Sequence, residues 1–143
     1  MTMPQAIYYS APLVSIGTTD ATKVDLSDFC KSAVLNRVAD ALESSSMASR
    51  DRFYQAGMNS NELTLVFNQT YAASKVYATL SGLVGTQCYA QVIPADAAVA
   101  ATNPEFSITN GYCESLEVVA ANLGELGEIT VVLSGGTYAA ATS

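Results

Sequence analysis

Between residues 62 and 68 the chain alternates. Leu63, Leu65 and Phe67 fall on one face of an extended backbone, and Glu62, Thr64, Val66 and Asn68 on the other. The period then changes. Ala73, Val76, Tyr77, Leu80, Leu83 and Val84 form one stripe at helical spacing, which predicts a helix over about 71–84. Thr70 is placed to cap its start and Gly85 to supply a left-handed end. Alternation returns at 88–93, with Cys88, Ala90 and Val92 against Tyr89, Gln91 and Ile93, and Pro94 ends it. Longer strands are predicted at 105–119 and 128–134, joined through AANLGELG, whose glycines permit a turn. In the second of these, Ile129, Val131 and Leu133 oppose Glu128, Thr130, Val132 and Ser134. Short strands at 13–16 and 22–26 flank the turn formers of GTTDA.

Other stretches carry less pattern. Over 31–43, Val34, Leu35, Val38, Ala41 and Leu42 sit at helical spacing, yet CKSAVLNRV also alternates tolerably and its valines suit a strand. Residues 44–61 lose periodicity and are expected as a long loop, a kind of segment that is usually functional or disordered. Phe53, Tyr54 and Met58 in it would gain from being covered. Residues 1–12 hold two tyrosines, Tyr8 and Tyr9, and no charge, and read as an extended arm seeking a partner surface. Residues 135–143 read as an extended tail. The whole, 1–143, is expected as one mainly β domain. Its candidate core is Leu63, Leu65, Phe67, Val76, Leu80, Leu83, Leu116, Ile129, Val131 and Leu133.

Composition adds an argument about surface. Half the residues are apolar and only 13% are charged, about half the usual share. Neutral surface on that scale is what oligomer interfaces hide. Six Lys and Arg against 13 Asp and Glu leave a net charge of −7, too few cations to grip a nucleic-acid backbone. A surface that nucleic acid passes without sticking is compatible with it. The three cysteines are odd in number and far apart, matching neither a disulfide framework nor a zinc spacing, and read as core-filling thiols. The N-terminus lacks a basic, apolar leader, and no run approaches the roughly 20 apolar residues of a membrane span.

The chemistry of catalysis is missing. With no histidine, the commonest general base and metal ligand is lost, and no GxSxG, P-loop or GxGxxG occurs. Glu114 and Glu117 are three apart on a predicted strand and so diverge, and Asp20, Asp25 and Asp28 do not match a calcium loop. No catalytic residue, metal or cofactor is expected. A carbohydrate-binding β-sandwich would want an aromatic platform, but there is no Trp and the eight tyrosines do not cluster.

VDLSDF (24–29), FNQTYAASKVYATLSGLVGT (67–86) and TNPEFSITNGYCESLEVVAANLGELGEITVVLSGG (102–136) together resemble the major tail tube proteins of long-tailed, non-contractile (siphovirus-type) bacteriophages. The resemblance implies a β-sandwich or barrel-like core with one flanking helix. Six copies would form a ring, and rings would stack into a tube around the tape measure protein and later the exiting double-stranded DNA. Tail terminator and tail-tip proteins would be further partners. The location would be the virion, after assembly in the bacterial host cytoplasm. Residues 31–43 would be a strand. The 44–61 segment, with Arg50, Asp51, Arg52, Phe53, Tyr54 and Met58, would contact the neighbouring ring, as would the arm with Tyr8 and Tyr9. The polar face of Glu128, Thr130 and Ser134, with Glu114, suits a wet lumen. The tube protein of a contractile injection machine would share this core but require a sheath.

Overall fold

The computed structural model describes residues 12–48, 50–71, 75–95, 98–119 and 122–142; Tyr8 and Tyr9 lie outside them. Among these residues the chain forms β1 (Leu13–Gly17), β2 (Val24–Asp25), β3 (Cys30–Glu43), β4 (Tyr54–Asn68), α1 (Val76–Leu80), β5 (Gln87–Ile93), β6 (Glu105–Leu116), β7 (Glu128–Ser134) and β8 (Thr137–Ala141). The strands make one antiparallel sheet in the order β2-β1-β5-β6-β7-β4-β3, with β8 also paired to β6. The expected mainly β fold with a flanking helix is therefore present.

A kink divides this sheet into two limbs. The chain from β7 into β8 follows β6 along one side, with Leu116 opposite Val131 at one end and Glu105 opposite Ala141 at the other. Midway the ladder breaks, at Asn110 and Gly111 on one strand and Gly135 and Gly136 on the other. Asn110, Gly135 and Gly136 all have positive φ. At Gly136 (φ +82) a Cβ would lie 2.7 Å from the Thr109 carbonyl oxygen and 2.7 Å from Ile108, so only glycine fits. The bend lets β1, β5, β8 and the first half of β6 fold over β3, β4, β7 and the second half of β6.

One core fills the space between the limbs. Val14, Ile16, Ala90, Ile108, Cys113, Leu63, Leu65, Phe67, Ile129, Val131 and Leu133 are all buried in it, and Val76 and Leu80 of α1, with Leu83, cover it. Each such Leu, Ile or Phe stabilises the fold by roughly 1.5–3 kcal/mol. Leu116 is only partly buried against this cluster. Where the limbs part, a cleft of about 1050 Å³ runs between Leu13 and Val92 on one side and Leu35 and Leu63 on the other.

Four expectations change. Residues 31–43 are strand, not helix, because β4 offers them a ladder from Cys30 opposite Phe67 to Glu43 opposite Tyr54. No surface lies under the would-be helical stripe, and Val34, Val38 and Leu42 stay exposed. The loop expected at 44–61 is confined to 44–53, since β4 begins at Tyr54. Its first half is exposed on both faces, so burial leaves no alternation in the sequence there. The helix is shorter than 71–84, with turns following at 81–85, and its N-cap is Lys75, not Thr70. Gly85 does take the left-handed conformation, at φ +80. Residues 137–141 of the expected tail are β8.

Candidate assembly surfaces

The most exposed backbone belongs to β3. It ends the sheet order, so one rim of a 14-residue strand has no neighbour among the described strands. The opposite end of the sheet stops at β2, only two residues long. Short edge strands resist pairing with other chains; long flat ones invite it.

The β3–β4 hairpin also outruns its sheet. β7 accompanies β4 only as far as Glu62 opposite Ser134, and there the buried side chain of Asn61 bonds to Gly136. From Asn61 back to Tyr54 the ribbon is two-stranded, a projection of about 23 Å at roughly 3.3 Å per residue. Such a ribbon is marginal alone in water. Val38, Leu42, Tyr54 and Met58 are exposed along it, and Met58 keeps 81% of its surface. At the tip Arg50, Asp51, Arg52 and Phe53 are exposed.

The face of β4 and β7 turned away from the core is polar. Glu62 lies opposite Ser134, Val66 opposite Thr130 and Asn68 opposite Glu128. Glu114 stands at an irregularity of β6 beside Ser134, whose hydroxyl donates to its carboxylate. Lys31 of β3 makes an ion pair with Glu128. The expected Glu128, Thr130, Ser134 and Glu114 thus share one surface, and Glu62 joins them. Glu62 was legible in the 62–68 alternation, but its place depended on knowing that β4 pairs with β7. Asn61 carried no signal, being one polar residue in a polar stretch.

The thiols are not activated. Burial pushes Cys88 up, and pushes Cys113 from about 9 to about 11, so both stay protonated at neutral pH. Burial raises Cys30 as well. Among the described residues no group of three or more His, Cys, Asp or Glu could hold a metal.

No family model matches the chain, and no curated protein matches it by sequence. Solved structures do match. The SPP1 tail tube superposes with a TM-score of 0.73 at 10% identity, over 96% of this chain and 80% of that one. A chain of the virion of a native gene transfer agent particle gives 0.69 at 14%, over 94% and 98%. A chain of the sheath-tube complex of an extracellular contractile injection system, PVC, gives 0.69 at 12%, over 96% and 93%. At such identities the likeness is one of fold, and the fold is that of tail tube proteins.

Proposed function

We propose that this chain is the structural subunit of a tail tube, six copies closing into a ring and rings stacking into a conduit. The observation that carries the reading is the open rim of β3, long and flat and continued by a ribbon with nothing against it. A head-to-tail ring pairs such a rim with the next copy and closes the set. The polar face bearing Glu62, Glu114, Glu128, Thr130 and Ser134 lines the bore. Carboxylates there repel passing phosphates, so double-stranded DNA moves without being held. The tape measure protein occupies that bore before ejection, and terminator and tail-tip proteins close the ends. No catalytic step is assigned to any residue.

The tail is of the non-contractile, siphovirus type, the group the sequence resembles. The likeness to a sheath-tube complex favours a second reading, an inner tube inside a contractile sheath. Electron microscopy of the purified protein tests the main reading: rings and tubes with a central hole are expected, and a monomer at every concentration refutes it. Particles isolated from the native source separate the two readings by the presence or absence of a sheath layer.

A further inference from the structure

The two ends of the strand layer carry different chemistry. β4 is 15 residues long, so its ends lie about 45 Å apart. Beyond its N-terminal end is the hairpin tip, with Arg50, Arg52 and the exposed Met47 and Phe53. Near its C-terminal end, where Asn68 pairs with Glu128, is the β6–β7 connection. There Leu123 and Leu126 keep 106% and 85% of their surface. A concave pocket of about 630 Å³ opens beside Leu126, walled by Glu117, Glu125 and Glu128. Lys31 already answers Glu128, which leaves Glu117 and Glu125 as the carboxylates facing out. Glu125 meets only the Asn122 amide, at 3.3 Å.

We propose that the hairpin tip of one copy docks on the β6–β7 connection of a second copy displaced along the strands. Arg50 and Arg52 face Glu117 and Glu125, and Met47 and Phe53 cover Leu123 and Leu126. Charge decides the polarity. Tip against tip would oppose arginines to arginines, and loop against loop would oppose glutamates. Only head-to-tail stacking sets unlike charges together. A contact between two different surfaces does not close on itself and propagates as a filament. The tip also bears Asp51, so the attraction rests on the two guanidinium groups, which suit bidentate pairing with carboxylates. This proposal builds on the tube reading and supplies the contact between rings.

Charge reversal tests it. Arg50→Glu with Arg52→Glu, and separately Glu117→Arg with Glu125→Arg, are expected to lower sedimentable tubes at least tenfold while rings persist in negative stain. All four changes together are expected to restore tubes. Circular dichroism melts of each variant show that it folds. A second measurement uses Phe53→Cys with Leu126→Cys in a Cys30→Ser background, where oxidised tubes should give a reducible ladder of linked copies. Reversed variants that polymerise like wild type, a fourfold variant no better than the pairs, or tubes without a ladder each overturn the proposal. Wild-type protein that forms neither rings nor tubes overturns the tube reading itself, and this contact with it.

Discussion

The side chain of Asn61 donates from Nδ2 to the carbonyl oxygen of Gly136 at 3.1 Å, while its own carbonyl accepts the Gly135 amide at 2.7 Å. Asn61 is 5% exposed and sits where β7 parts from β4. These two bonds satisfy backbone groups that the kink would otherwise strand in the interior. They also mark the root of the projecting hairpin.

Asn61→Leu keeps the volume but strands the Gly136 carbonyl. Equilibrium urea unfolding should show a loss of about 1–3 kcal/mol. An unchanged midpoint would mean that water replaces the bond and that the kink does not depend on it.

Gly136→Ala should cost more. The residue must hold φ +82 and place a methyl group 2.7 Å from backbone oxygen. Left-handed strain of about 1–2 kcal/mol adds to overpacking of about 1–3 kcal/mol. Gly82→Ala is the control, with nothing within 4 Å of the new Cβ, and should melt within about a degree or two of wild type.

Stability should fall in alkali through Cys113. Its thiol ionises near 9 when free and near 11 in the fold, because burial opposes the thiolate. The raised value leaves stability whole below pH 9 and removes it as pH climbs towards 11, by roughly 2–3 kcal/mol. Denaturation midpoints across that window for wild type and Cys113→Ala should diverge, with the variant less stable at neutral pH but flatter above it.

Leu42→Asp and Met58→Asp alter side chains that the isolated subunit leaves in water, so its stability should change by no more than about 0.5 kcal/mol. Tubes should nevertheless disappear from electron micrographs if the ribbon is covered by a neighbouring copy. Normal tubes from both variants would show that the ribbon stays bare.

Reversing the bore should make it sticky. Glu62→Lys with Glu114→Lys replaces two carboxylates on the polar face, and assembled protein should then retain double-stranded DNA at low salt and release it as salt rises. Wild-type tubes should retain none under the same conditions. Equal retention by both would place this face away from the path of DNA.

The sequence by itself determined the elements whose side chains meet the core. Leu63, Leu65, Phe67, Ile129, Val131 and Leu133 alternate because one face of β4 and of β7 is buried, and burial is what writes period into a chain. Val76, Leu80 and Leu83 kept helical spacing for the same reason, although the turns after Leu80 trimmed the helix. Tertiary structure alone decided β3 and the first half of β4, where neither face is covered and composition is free to look helical or shapeless. Main-chain hydrogen bonds made that hairpin, and such bonds leave no mark on side-chain order. It also decided the fold's bend, since Asn61 meets Gly136 across 75 residues and no local pattern can announce a partner so distant.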